Sequence, residues 1–364
     1  MIKFVDLKQQ YNSIRDEVRK AIDGVLESTS YILGQQLSDF ENEFARFCNA
    51  KHCIGLNTGT SALHLALLAK GIGKGDEVLT TPNTFFATCE AISYTGATPK
   101  FADIDEDTYN MDAEKLKKAI TPKTKAIIPV DLYGQPADMS EILEIARKNN
   151  LSVIEDACQA HGAEHHKKKV PIADIGCFSF YPAKNLGAYG EGGAIVTNDK
   201  ESDELIRAYR DHGQIKKHVH KHIGYNYRLE ELQAAVLRVK LKHLDEWIEM
   251  RRKNAKIYDE MLEDCDVARP VERNYNKHVY HLYVIRAKQR QKLMEHLNSK
   301  GVQTAIHYPT PIHLQEAYSF LGHERGSFPV AEKCVDEIIS LPMYPELKQE
   351  EIELVAKSIK EFTK

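Results

Sequence analysis

The sequence predicts an α/β protein: a mostly parallel central sheet in a large domain, followed by a smaller C-terminal α+β domain. Three observations carry this. From about residue 50, short apolar runs alternate with helical patterns, as in a parallel sheet covered on both faces. An unbroken helical pattern from Leu229 to about Leu262 contains neither Pro nor Gly, as a helix linking two domains would. A length of 364 residues suits one large and one smaller domain. The expected division is 1–245 for the large domain, with its N-terminal helix, and 246–364 for the small one.

Leu7, Tyr11, Ile14, Val18, Ile22 and Val25 recur at three- and four-residue steps and predict an amphipathic helix. "TSYILG" closes it, with Gly34 as the stop. "HCIGLN", "EVLTTP", "TPKFADI", "KAIIPV", "SVIEDA", "IGCFSF" and "GAIVTN" read as strands. Helices are predicted between most of them, including Thr84 to Tyr94 and Met139 to Lys148. The last two strands lie close together in sequence, so a hairpin-like or non-helical connection is expected there. After the long helix, "HVYHLYVIRA" reads as a strand and Gln289 to Lys300 as a helix. "HYPTPIH" reads as a proline-punctuated loop, and two more helical patterns finish the chain.

The hydrophobic share is 42% and the charged share 28%, ordinary for a globular protein. A net charge of -4 argues against a nucleic-acid binder acting through overall positive charge. The seven cysteines are scattered at 48, 53, 89, 158, 177, 265 and 334, with no CxxC. Neither a disulfide framework nor a zinc site is suggested. The N-terminal "MIKFVDLKQQYNSIRDEV" has no apolar run, and nothing approaches a membrane span in length. A cytoplasmic protein with no nucleic-acid or membrane partner is expected.

Three stretches could carry chemistry. "NTGTSALHLALLA" follows a strand and opens a helix, so Gly59, Thr60 and Ser61 offer free amides and hydroxyls to an anion. An ordinary N-cap by Thr60 or Ser61 is the alternative. "VIEDACQAHGA" places Glu155 and Asp156 at the end of an apolar strand, where ligands of parallel sheets gather. Asp156 there could hold a cationic ring nitrogen, a metal or a helix N-terminus, and His161 could be a plain buried histidine. In "FSFYPAKNLGAYGEGGAIV", Lys184 is the one lysine in nineteen residues. It follows Ser179 and precedes a glycine-rich run that allows a ligand close to the backbone. A desolvated lysine so placed has a lowered pKa and can form a Schiff base. In "KKHVHKH", His218, His220 and His222 alternate without a carboxylate or cysteine, so a basic loop meeting a diphosphate is favoured over a metal site.

A phosphate site, an acid for a ring nitrogen and an amine for an aldehyde together match pyridoxal phosphate. The order Gly-Thr-Ser, Asp, Ser, Lys, with "TPNTFFAT", "DIDEDTYNMD", "PVDLYGQPADM" and "GYNYRLEELQAA", resembles the nucleotide-sugar aminotransferases of the DegT family across almost the whole chain. Pro171 stands where glycine is frequent in that family. The resemblance implies the fold of type I pyridoxal-phosphate transferases. It implies Lys184 and Asp156 as catalytic residues, the first bonding the cofactor's aldehyde and the second its ring nitrogen. Gly59, Thr60, Ser61 and Ser179 would hold the phosphate, Phe85 would stack on the ring, and Gln159 would bond near the ring oxygen. Asn226 would reach the phosphate of a neighbouring subunit, giving a homodimer with shared active sites. Substrate contacts are expected from His161, Tyr181, Lys216, His307 and Tyr308. The implied reaction moves an amino group from glutamate to a nucleotide-linked keto sugar. The "QAHG" segment resembles members acting at C3, so a dTDP-3-keto-6-deoxyhexose is expected. Amination at C4, a sugar dehydratase and a non-catalytic binding protein of the same fold are the alternatives. Lys184 argues against the dehydratase, and the full set of Lys, Asp, Gln and Ser against the binding protein.

Overall fold

The computed structural model describes residues 1–363. Seven strands form one sheet: β1 (His52–Leu56), β2 (Glu77–Thr80), β3 (Thr98–Phe101), β4 (Thr124–Ile127), β5 (Ser152–Asp156), β6 (Ile175–Ser179) and β7 (Gly193–Thr197). Across the sheet they run β1-β7-β6-β5-β4-β2-β3. Every neighbouring pair is parallel except those of β7, which is antiparallel to both β1 and β6. The carboxyl ends of β1, β5 and β6 therefore meet at one edge, where β7 begins. That edge is where ligands of such sheets bind.

Both faces of the sheet are covered, which is why its strands read as continuous apolar runs. On β6, Ile175 and Cys177 face one core with Ile54, Leu63, Leu67 and Ile195. Phe178 and the following Phe180 face the other, with Phe40, Phe44 and Leu237, as a two-residue period requires. The first core is roofed by α3 (Gly59–Ala69), which is apolar nearly all round and buried over most of its length. α1 (Leu7–Ser28) and α2 (Gln35–Phe47) pack against the later helix Glu231–Leu241. α4 (Phe86–Tyr94), α5 (Ala113–Ala119), α6 (Met139–Asn149) and α7 (Lys200–Arg210) complete the first part of the chain.

The predicted helix from Leu229 to Leu262 is two helices, α8 (Glu231–Leu241) and α9 (Leu244–Met261). Between them, Lys242 and His243 donate to carbonyls three residues back, at 3.3 and 3.0 Å. This tight turn re-aims the chain without a Pro or Gly to announce it. α9 then serves two cores: Leu244 and Ile248 pack with the aromatic cluster under the sheet, while Ala255 and Tyr258 pack with the C-terminal part. There β8 (Tyr283–Arg286) and β9 (Ile338–Leu341) pair antiparallel, with α10 (Arg290–Ser299), α11 (Pro329–Glu337) and α12 (Gln349–Thr363). Ile2 bridges to Val302 and is buried in that same core, while Phe4 packs on a cluster that joins Ile104, Val130 and Tyr133 to Leu282 and Val284. "HVYHLYVIRA" is extended only over β8; its first five residues are irregular. Among the described residues no helix is long and apolar enough to cross a membrane.

Helix α2, which the sequence reading did not anticipate, has no side-chain cap of its own, since Gly34 stands at its N-cap. Glu231 supplies one from α8. Its carboxylate accepts from Gly34 N (2.8 Å), Gln36 N (2.8 Å) and Leu37 N (3.0 Å). A buried anion at a helix N-terminus is favoured by both the free amides and the dipole. Glu231→Ala is expected to cost about 3 kcal/mol, the scale of losing charge-assisted bonds and stranding their donors. Urea unfolding followed by circular dichroism measures this, and a midpoint unchanged from the parent would show the cap to be idle.

Candidate active site

At the carboxyl ends of β1, β5 and β6 lies a cavity of about 670 Å³. One corner is built by the β1–α3 turn. Gly193, the first residue of β7, pairs with Leu56 on one side and Ser179 on the other. A Cβ on Gly193 would stand 2.3 Å from the Thr58 carbonyl carbon and oxygen, and one on Gly59 would stand 2.8 Å from Ser179 Cβ. Glycine at both positions lets the N-terminus of α3 close onto the ends of β6 and β7.

The cap of α3 is Thr58, not Thr60 or Ser61: Thr58 Oγ1 accepts from Ser61 N at 2.9 Å. The Ser61 hydroxyl turns inward to Asn57 Oδ1 at 2.7 Å, and Ser61 does not line the cavity. Gly59 and Thr60 do. Among the described residues their amides find no acceptor, so two N-terminal donors of α3 remain for an anion. Ser179 also lines this corner and accepts from Tyr181 N at 3.3 Å, which leaves its hydroxyl proton to donate.

Asp156 ends β5 and is 5% exposed. Oδ2 accepts from Thr88 Oγ1 at 2.8 Å and Oδ1 from Cys158 N at 3.3 Å. No cationic side chain pairs with it among the described residues. A buried carboxylate so held suits a protonated ring nitrogen. Phe85, just before α4, is 54% exposed and stands 5.4 Å from the Tyr308 ring, both on the cavity wall. Gln159 is not on the wall: its Oε1 accepts from Tyr133 N at 2.8 Å and its Nε2 lies 3.4 Å from Tyr308 Oη. It fixes the neighbours of the ring site.

Lys184 sits in the β6–β7 connection, its amide bonded to Tyr181 O at 2.9 Å. Both Lys184 and Tyr181 line the cavity. Burial pushes the Lys184 pKa down, against the pull of Cys158 and Asp156. The loop is held from below by Lys240 of α8, whose Nζ donates to Gly187 O at 2.7 Å; burial draws that amine down to about 7. The opposite wall comes from the C-terminal part. His307 stacks on Phe4 at 5.5 Å and bonds Ser340 Oγ at 2.9 Å. Burial and Lys184 bring its pKa down to about 4. Tyr133 Oη donates to the His307 carbonyl, and burial raises the Tyr308 phenol.

Three expected residues lie elsewhere. His161 is wholly buried between Phe178 and Phe180, at 5.4 and 5.7 Å, and burial draws its pKa to about 3. The turn after β5 tucks the ring under the sheet, so it cannot meet a substrate in this cavity. Lys216 is exposed on a small hairpin with Val219–His220, and Asn226 is exposed where it bridges to Asp211. Neither reaches the cavity of its own chain. Sequence reasoning missed Thr88, Cys158, Phe4 and His281, all on the wall. Thr88 had a signal, because it lies one helical step from Phe85. Phe4 had none.

The cavity thus offers free amides and a hydroxyl for a phosphate, an unpaired carboxylate for a ring nitrogen, an aromatic face, and an amine with lowered pKa. That donor set fits pyridoxal phosphate.

The chain matches the DegT/DnrJ/EryC1/StrS aminotransferase family over residues 12–360. It is 47% identical to a pleiotropic regulatory protein of Geobacillus stearothermophilus, covering 99% of this chain and 98% of that protein. It is 45% identical to the dTDP-3-amino-3,6-dideoxy-alpha-D-galactopyranose transaminase of Aneurinibacillus thermoaerophilus, over 100% and 99%. It is 43% identical to a UDP-N-acetyl-3-dehydro-alpha-D-glucosamine 3-aminotransferase of Acidithiobacillus ferrooxidans, over 99% and 97%. The crystal structure of S. venezuelae DesV in complex with a ketimine intermediate superposes with a TM-score of 0.98 at 42% identity, over 100% and 98%. That of NtdA from Bacillus subtilis with bound cofactor PMP gives 0.90 at 31%, over 96% and 82%.

Behind Asp156 lie two buried carboxyls, Asp131 and Glu155. Asp131 Oδ1 accepts from Ala137 N (3.0 Å), and Glu155 Oε2 from Ile172 N (2.6 Å) and Ala173 N (2.8 Å). The other oxygens, Asp131 Oδ2 and Glu155 Oε1, are buried without a hydrogen-bond partner. Burial raises both, and Glu155 raises Asp131 further. The folded protein therefore holds a proton that the unfolded chain releases above its ordinary Asp value of 3.8. Stability from this group is complete below that value and falls as pH rises toward the raised one, by about 1.4 kcal/mol per unit for one proton. Asp131→Asn supplies the donor without the proton. The variant is expected to gain on the parent steadily from pH 5 to pH 8 in thermal midpoint. Parallel pH curves for the two proteins would exclude a raised Asp131 carboxyl.

Proposed function

The chain belongs to the DegT/DnrJ/EryC1/StrS aminotransferase family, and from that premise we propose that it moves an amino group from glutamate to C3 of a dTDP-linked 3-keto-6-deoxyhexose. It is a pyridoxal-phosphate-dependent nucleotide-sugar aminotransferase. The observation that favours C3 is that its relatives named for 3-amino sugars, on dTDP and on UDP, are 43–45% identical over nearly the whole chain.

When bound, the cofactor supplies the aldehyde that carries the amino group and the ring that takes up electrons. The chain's residues do the rest. The Gly59 and Thr60 amides and the Ser179 hydroxyl bind the phosphate. Asp156 keeps the ring nitrogen protonated, and Thr88 and Cys158 N keep Asp156 in place. Phe85 and Tyr308 bound the ring and exclude water. Lys184 Nζ would take the proton from the α-carbon of glutamate. In the second half of the reaction it delivers a proton to the carbon of the sugar that receives the nitrogen. A lowered pKa keeps part of the amine uncharged for the first task.

Lys216 and Asn226 are exposed on their own chain, beside exposed Ile215, Val219 and Ile223. This supports a homodimer in which Asn226 completes the phosphate corner of the other protomer and Lys216 meets the nucleotide diphosphate.

Incubation with glutamate and a panel of keto-sugar nucleotides, read by mass spectrometry, tests the substrate; amination of UDP sugars alone, or at C4 alone, overturns this assignment. Lys184→Ala is expected to abolish turnover with the fold intact. Asp156→Asn is expected to lose on the order of 10² or more in rate, the scale of one strong electrostatic stabiliser, and a loss of only a few-fold would reduce Asp156 to a structural role. Mixing Lys184→Ala with an Asn226→Ala variant under subunit exchange should restore activity if sites are shared. Exchange demonstrated without recovery would exclude shared sites.

A further inference from the structure

His281 lines the cavity, is 9% exposed, and has no role in the chemistry above. Its Nδ1 is enclosed without a partner, and among the described residues no hydrogen bond reaches Nε2. The Lys184 amine, which lines the same cavity, likewise has no hydrogen-bond acceptor among the described residues. An acceptor without a donor and a donor without an acceptor thus share one small space. Buried polar groups left so are uncommon and call for a reason.

The backbone around His281 is held with unusual force. The preceding Tyr280 has φ +44°, a left-handed conformation costly for an aromatic residue. The buried Arg251 guanidinium stabilises it by donating to the carbonyls of Tyr280 (3.1 Å), His281 (3.4 Å) and Met343 (2.9 Å). Gly134 leaves room for the turn, since a Cβ there would stand 2.9 Å from His281 N. The segment is also tied to the Lys184 loop: Asn185, the next residue, donates from Nδ2 to Val279 O at 3.1 Å. Strain of this kind persists at functional sites when the surroundings over-determine it.

We propose that His281 is the positioning residue of Lys184: when the amine is released from the cofactor's aldehyde carbon, an imidazole nitrogen of His281 accepts its hydrogen bond and keeps it in the cavity. The inference rests on the aminotransfer chemistry and not on the identity of the sugar. The charged and titratable neighbours of the ring suit it. Burial, Lys184, Arg251, His307 and His161 all hold His281 uncharged, so it is free to accept and does not repel an ammonium. On the Lys184 side, Cys158 and Asp156 act in the opposite direction.

The test uses holoenzyme converted by glutamate to the amine form of the cofactor, in which Lys184 is free. Trace acetylation with acetic anhydride across pH 6 to 11, read on the Lys184 peptide by mass spectrometry, gives the midpoint of that amine. A hydrogen bond accepted from the ammonium favours the charged form. His281→Leu is therefore expected to lower the midpoint by about one pH unit, a tenfold change in labelling at fixed pH. His281→Gln, which keeps an acceptor, should stay near the parent. If the leucine variant fails to take up cofactor, His281→Phe keeps the ring shape and carries the same expectation. A merely structural role would lower cofactor occupancy and leave the midpoint where it is, and that result overturns the proposal. Unchanged turnover of every sugar nucleotide in the panel bears on the substrate assignment and leaves this measurement intact.

Discussion

The site depends on the close approach between Gly193 and Thr58. The start of β7 lies between the ends of β1 and β6, pairing with Leu56 and Ser179 at once. Any side chain at Gly193 would occupy the carbonyl of the residue that caps α3. Because it has none, α3 begins directly over the strand ends, and its free amides point at the space that Ser179, Asp156 and Lys184 also border. The antiparallel insertion of β7 has a second consequence. It returns the chain after β6 without a crossover helix, so the connection carrying Lys184 stays short and lies over the cavity.

The electrostatics of the cavity follow from one amine and one carboxylate placed in a largely desolvated space. Burial, with Lys184 adding to it, lowers the pKa of His161, His281 and His307, so three imidazoles around the amine stay uncharged. They line or back the cavity as polar, adjustable surfaces and do not add to its positive charge. Asp156 offsets the amine from across the cofactor site. Were the imidazoles charged, binding a doubly negative phosphate would be easier, but the amine would be harder to protonate and the proton transfers harder to direct. The polar groups buried behind the sheet follow the same economy. Burial raises the carboxyls of both Asp131 and Glu155, which disfavours a second negative charge beside Asp156.

Much of this was legible in the sequence, because the chemistry lies on local motifs at strand ends. Six of the seven sheet strands lie within their predicted apolar runs, and β4 starts one residue earlier, at Thr124. Gly59, Thr60, Asp156, Ser179 and Lys184 converge because each stands at or just after the end of a strand. What was not legible depends on contacts far apart in the chain. The break between α8 and α9 leaves no compositional mark, since the apolar spacing continues through it. Helix α2 is capped by a residue almost two hundred positions away. His161 has the polarity of a site residue, but its turn folds under the sheet, and only tertiary packing decides that. Ser61 has the right hydroxyl in the right motif, yet it faces Asn57, because on a helix one step of 100° separates Thr60 on the wall from Ser61 inside it.

The division of labour between parts of the cavity bears on how such a scaffold changes substrate. The cofactor corner is built from sheet ends and the first turn of α3, where two glycines admit no variation in size. The facing wall is built from His307 and Tyr308 in an irregular segment, buttressed by Phe4 from the N-terminus and by Ser340 of β9. These elements are remote from the sheet in sequence, and Tyr133 and Gln159 link them to it through only a few hydrogen bonds. Side chains there can change without moving Gly193, Asp156 or Lys184. A transaminase's single amine acts on two unlike substrates, so one half of the cavity can stay fixed while the other adapts. The fold separates the two, since the facing wall rests on a cluster of its own that includes Phe4, Ile306 and Tyr133.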